Sequence, residues 1–164
     1  MTRPLRLPEL LAVLLVACGG SAGAAHVVET DSYAREAARR TTEARDALTH
    51  IAEREESYRA EFGPYALLSE PDAWWPSVEP GPHDQAEWGT APDAWAQLGF
   101  VPATATVPFQ LQVVAGLPGT APAEGEPAQP DYWFIARARG HFDDPDHITV
   151  LERHSWEADG SRNE

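Results

Sequence analysis

The sequence predicts an α+β domain: one long N-terminal helix packed on a three- to four-stranded antiparallel sheet, with a long Trp- and Pro-rich loop connecting them. Three observations lead there. Residues 32–62 contain neither Gly nor Pro and repeat apolar side chains at three- and four-residue spacing, as in a helix with one buried stripe. The last third holds three segments that alternate apolar and polar residues, the period of half-buried strands. Between these regions Pro, Gly and Trp crowd together and neither period persists. A helix lying over an antiparallel sheet hides the apolar face of both.

The helix can be capped by Asp31 or Ser32, and Gly63-Pro64 stops it after Phe62. Its stripe consists of Ala44, Ala47, Leu48, Ile51, Ala52, Tyr58 and Phe62, with Glu55 the one polar residue on it. Upstream, Ala34, Ala37, Ala38 and Thr41 are too small to bury much. The N-terminal half is therefore expected to be solvated and held by pairs such as Glu36–Arg40. Glu53, Glu55 and Glu56 form a charge run that a solvated face explains. Residues 18–31, small and polar, are expected as a flexible tether.

Four tryptophans, Trp74, Trp75, Trp88 and Trp95, fall in the connection from Gly63 to Pro108. So long a loop stays ordered only if its aromatics pin it. "PDAWAQLGF" suggests a short helical turn capped by Asp93, with Trp95, Leu98 and Phe100 inward. In "PFQLQVVAG", Phe109, Leu111 and Val113 alternate with Gln110, Gln112 and Val114. "DYWFIARARG" sets Tyr132, Phe134, Ala136 and Ala138 against Trp133, Ile135, Arg137 and Arg139, and "HITVLERHSW" supplies a third strand. Residues 117–130 are low in complexity and expected to be a disordered hairpin loop. The tail 157–164 carries little order.

Charge excludes several functions. There are 12 basic and 26 acidic residues, a formal net charge of −14, and every basic residue is Arg. Without Lys there is no P-loop and no Schiff-base chemistry, and without a basic patch no nucleic-acid partner is expected. An acidic surface also repels anionic lipid. No H-E-x-x-H or glycine-rich phosphate loop occurs, so the chain is expected to be non-catalytic. His50 and His83 are isolated and expected at the surface. Arg137 and Arg139 are expected in surface ion pairs.

The N-terminus explains the single cysteine. Arg3 and Arg6 precede an unbroken apolar run from Leu10 to Ala17, and small residues follow Cys18. That order is a secretory signal peptide, too short to span a bilayer, which takes roughly 20 apolar residues. Leu15-Val16-Ala17-Cys18 resembles the lipobox of bacterial lipoproteins. The resemblance implies cleavage after residue 17, a covalent lipid on Cys18, and a membrane partner reached through that lipid. Because Gly19 and Gly20 stand where an Asp marks inner-membrane retention in that family, it also implies the outer membrane, facing periplasm or cell surface. The alternative is an ordinary signal peptide cut near Ala22 to Ala25, with Cys18 discarded.

A second resemblance covers 44–156. "ALTHIAEREESYRAEFGPYA", then "WAQLGFVP", "FQLQVVAG" and "DYWFIARARGHFDD", followed by a closing strand, resemble in order the globular head of type IV pilins and pseudopilins. The chain departs from that family where a pilin has an apolar, membrane-spanning helix. Here the stretch is "TDSYAREAARRTTEARDAL", whose Arg35, Glu36, Arg39, Arg40, Glu43 and Arg45 are costly in lipid or in a dry filament core. Together the resemblances imply an envelope lipoprotein with a pilin-like head over 32–156, a structural or interaction component whose partner is an envelope protein or the cell wall.

Two clusters are candidate sites. In pilin-like proteins the turn matching "HFDDPDH" alternates carboxylates, a pattern suited to calcium. His141, Asp143, Asp144, Asp146 and His147 stand here, with His154 one strand away. His141 and Pro145 replace expected Asp residues and the closing Gly is missing, so calcium is not expected; spacing shows no three zinc ligands either. The second cluster is the Trp-rich loop. Trp74 and Trp75 are candidates for a carbohydrate- or peptide-binding surface, since flat rings offer large contact area and an N–H. Against this stands a purely structural role, the rings stapling the loop to the sheet.

Overall fold

The computed structural model describes the backbone of residues 21–156 and the side chains of residues 32–156. The signal peptide expected at 1–17, Cys18 and the tail 157–164 lie outside the described residues.

Helix α1 runs from Ser21 to Phe62, 42 residues, or about 63 Å at the usual rise. It starts earlier than expected. Residues 21–31, expected as part of a flexible tether, are helical, and Asp31 and Ser32 lie inside the helix rather than capping it. Alanines at 22, 24 and 25 are the strongest helix formers, and no Pro interrupts them. The helix ends as expected, with Gly63 at φ 93° and its N–H donating to the Arg59 carbonyl over 2.8 Å.

The stripe on α1 packs as expected through Ala44, Leu48, Ile51 and Ala52, which are buried, and through the partly buried Ala47 and Tyr58. Three positions differ. Phe62 is 56% exposed, its ring 4.5 Å from that of Tyr58 between centroids. Arg40, on the supposedly solvated half, is 1% exposed. Its guanidinium donates to Glu36 Oε1 at 3.2 Å and to the Gly81 carbonyl at 3.3 Å, because the connection folds over a helix face too small to cover itself. Glu55 is fully buried rather than solvated. Its Oε2 accepts the Ala66 N–H at 2.8 Å, so the carboxyl group serves the chain as it turns back after the helix.

The connection contains three short elements: β1 (Ala86–Glu87), α2 (Asp93–Leu98) and β2 (Thr106–Val107). Strands β1 and β2 pair antiparallel as a separate two-stranded ladder. In α2, Trp95 and Leu98 are buried as expected, and so is Phe100 just beyond it. Asp93 lies in its first turn but is not its cap; Pro92 occupies that position. Trp88 is the hub of the aromatics, with centroids 5.4 Å from Trp95, 5.7 Å from Phe100 and 6.4 Å from Trp75.

Strands β3 (Gln110–Gly116), β4 (Trp133–Gly140) and β5 (Thr149–His154) form one antiparallel sheet in that order. The register pairs Leu111 with Ala138 and Ala138 with Leu151. Phe109, Leu111, Val113, Phe134, Ala136 and Ala138 therefore share the core with α1. Ala136 and Ala138 on the central strand are small enough to leave the helix room. The sheet has three strands, not four. Trp75 bridges Leu111 through two backbone hydrogen bonds of 2.8 and 2.6 Å, but Pro71 and Pro76 nearby lack the N–H a longer ladder needs.

The loop 117–130, expected to be disordered, is folded. Gly119 N–H donates to the Gln129 carbonyl at 2.7 Å and Gln129 N–H to the Thr120 carbonyl at 2.9 Å. Trp133 Nε1 donates to Thr120 Oγ1 at 3.0 Å, tying the loop to the sheet. Gly116 makes this possible, since a Cβ there would fall 2.1 Å from the Trp133 ring.

Burial pushes the Glu55 carboxyl up to about 8, opposed by the Ala66 N–H and reinforced by the Glu56 charge. In the unfolded chain it ionises near its ordinary 4.5. Its contribution to stability is thus full below pH 4.5 and declines until pH 8, by up to about 1.4 kcal/mol per pH unit. Urea denaturation at pH 5 and pH 8 should show the wild type losing stability relative to Glu55→Gln as pH rises. Parallel changes in the two proteins would contradict an ionising Glu55.

Candidate functional site

A groove of about 620 Å³ runs between α1 and the segment after α2. Its helical wall is built from Arg39, Thr42, Glu43, Asp46, Ala47 and His50, whose three- and four-residue spacings place them on one helix face. The opposite wall is made by residues 100–103 with Val107 and Phe109. Gly99, at φ 70°, ends α2 in a left-handed turn that sends Phe100 into the core. The chain beyond stays outside, leaving Val101 67% exposed at the lip. No charged residue occurs from Phe100 to Phe109, so this wall and floor are almost entirely apolar.

Charge is confined to the helical rim. Arg39 is divided between Glu36 at 2.7 Å and Glu43 at 3.1 Å. Hydrogen bonds from Arg39 and then Arg40 hold the Glu36 carboxyl down to about 2. His50 Nε2 accepts from Arg54 Nε at 3.2 Å, and its ring leans on Phe100 at 5.5 Å. Asp46 is exposed at the mouth. The residues that line the groove itself include one Arg and two carboxylates, Arg39 against Glu43 and Asp46, a net charge of −1. Such a groove can hold an apolar side chain with positive charge next to it.

The residues singled out in the sequence lie elsewhere. Trp74 and Trp75 point to opposite sides of the extended segment. Trp75 packs against the core, its Nε1 donating to the Trp88 carbonyl at 3.0 Å. Trp74 lies under Arg139, whose guanidinium carbon sits 4.4 Å from the ring centroid. Both rings are partly buried, Trp75 against the core and Trp74 against Arg139. The expected ion pairs are present, Arg137 with Glu152 at 2.5 Å and Arg139 with Glu79 at 3.4 Å.

In the acidic turn, Phe142 is buried and Asp144 organises the backbone. Its Oδ1 accepts the Asp146 N–H at 2.8 Å and its Oδ2 lies 2.9 Å from His147 Nδ1. Asp143, Asp146 and His147 are exposed, while His141 Nδ1 is buried without a partner among the described residues. His154 stays with β5, 3.1 Å from Glu152 and stacked near Trp156. Among the described residues no three His, Cys, Asp or Glu side chains converge as metal ligands. Cys18 lies outside the described residues.

Sequence reasoning missed the groove. Its signal was an uncharged run that ends a Trp-rich loop, facing a helix stripe that carries Glu43 and Asp46 beside the core stripe. Comparison with protein-family models, with curated proteins and with solved structures gives no match.

The Asp146 N–H, and after it His147, lower the Asp144 pKa below its ordinary 3.8. An NMR titration of the side-chain carboxyl should find it depressed, and millimolar calcium should leave the Asp144 and Asp146 signals in place. Calcium-dependent shifts confined to these two residues would mean the turn binds a cation.

Proposed function

We propose that the chain is a lipid-anchored component of the bacterial cell envelope, whose pilin-like head docks another envelope component and carries out no catalysis. The observation that carries this reading is the continuity of α1. The helix begins at Ser21, just beyond Cys18, and reaches the sheet without a break. A lipid on Cys18 would hold the head at the end of a helical rod. No helix among the described residues is long and apolar enough to cross a membrane, and the exposed Arg35, Arg39 and Arg45 suit water rather than a filament core. Fatty chains supply the missing attachment, each buried methylene contributing about 0.8 kcal/mol. The pilin-like order of long helix, pinned connection and antiparallel sheet supports the head, and the groove gives it a place to dock.

Intact mass of the protein isolated from its native membrane tests the anchor. The expected N-terminal residue is Cys18 with added acyl mass, and Cys18→Ser should move the protein from the membrane to the soluble fraction. An unmodified chain beginning beyond residue 18 would contradict the proposal.

A further inference from the structure

We infer that the groove between α1 and residues 100–109 binds a polypeptide segment carrying an apolar anchor side chain flanked by Lys or Arg. This names the partner chemistry for the docking role proposed above, and it needs only the folded head, not the lipid. Phe100, Val107 and Phe109, at most 2% exposed, fix the base of the groove to the core, and the more exposed Ala47, Val101, Pro102 and Ala103 give it accessible apolar surface before a partner arrives. At protein–protein interfaces a few anchor side chains seated in well-packed pockets carry most of the binding energy. Val101 stands open at the lip, where an entering aliphatic or aromatic side chain would cover it. Glu43 and Asp46 lie on the opposite rim, and a partner's cation beside the anchor would meet them. The whole chain, at −14, attracts such a partner over longer range. Anionic lipid fits poorly. A second copy fits no better, because it would bring the same excess of carboxylate, 26 acidic residues against 12 Arg.

Fluorescence anisotropy on the full chain with Cys18→Ser, which leaves no lipid to compete, tests this with three labelled peptides: one of Leu and Lys, one of Leu and Glu, and one of Ser and Lys. The Leu/Lys peptide should bind saturably, the other two at least about tenfold more weakly. Ala103→Trp, which fills the groove from an exposed position, and Val101→Asp at the lip should each weaken Leu/Lys binding by about tenfold. Glu43→Gln with Asp46→Asn should weaken it by about threefold and flatten its salt dependence. Unchanged near-ultraviolet circular dichroism establishes that the variants are folded. The proposal is overturned if no peptide binds, if Leu/Glu binds as well, or if Leu/Lys binding ignores both groove substitutions and so reflects surface charge alone. Self-association abolished by Ala103→Trp would also overturn it, assigning the groove to a second copy. None of these results bears on lipid mass at Cys18, so the anchor stands or falls separately.

Discussion

Residues 63–108 carry little regular structure, so several of their backbone groups find partners in α1 and β3. That constraint shapes the rest of the head. Glu55 of α1 takes the Ala66 N–H, Arg40 reaches the Gly81 carbonyl, and Trp75 exchanges two backbone hydrogen bonds with Leu111. Gln110 and Gln112, on the side of β3 away from α1, donate to the Pro76 and Pro71 carbonyls at 2.5 and 2.6 Å. The polar residues that interrupt the apolar patterns of helix and strand are thus the ones that hold the connection. An unpaired backbone group in these places would cost more than the net gain from an ordinary hydrogen bond.

Clamping the connection has a functional consequence. Once Trp88, Trp95 and Phe100 are packed into one aromatic cluster, the chain leaving Gly99 has only one way to run, alongside α1. The groove is the space left between them. Its asymmetry follows from the elements that built it: a helix flank rich in charge faces a loop with none. The acidic excess of the chain continues at the groove, where Glu43 and Asp46 outnumber Arg39. The long α1, reaching upstream to Ser21, links this surface to the N-terminal region where the lipid is expected.

Much of the fold was legible because period and punctuation agreed. Gly63-Pro64 ended α1 where it does end, the three alternating segments became β3, β4 and β5, and Trp95, Leu98 and Phe100 turned inward. The errors have a common cause. Arg40 and Glu55 looked like solvent-facing charges because charge alone predicts exposure, whereas their partners are carbonyl and amide groups distant in sequence. Residues 117–130 looked disordered by composition; Trp133 and Gly116, outside the segment, order it. The start of α1 was misplaced because Asp31 and Ser32 can cap a helix, yet the alanines before them extend it. The groove was invisible for a similar reason: its walls are 50 or more residues apart along the chain, and neither wall holds a motif.

Amide hydrogen exchange at Ala66, Trp75, Trp88 and Leu111 tests the clamp most directly. These N–H groups are donors in the bonds that join the connection to α1, to β3 and to itself. If the connection is an integral wall of the head, they exchange as slowly as the amides of central strand β4, through global unfolding. If Ala66, Trp75 and Trp88 exchange at rates typical of open loops while β4 stays protected, the connection is not clamped and the groove has no standing wall.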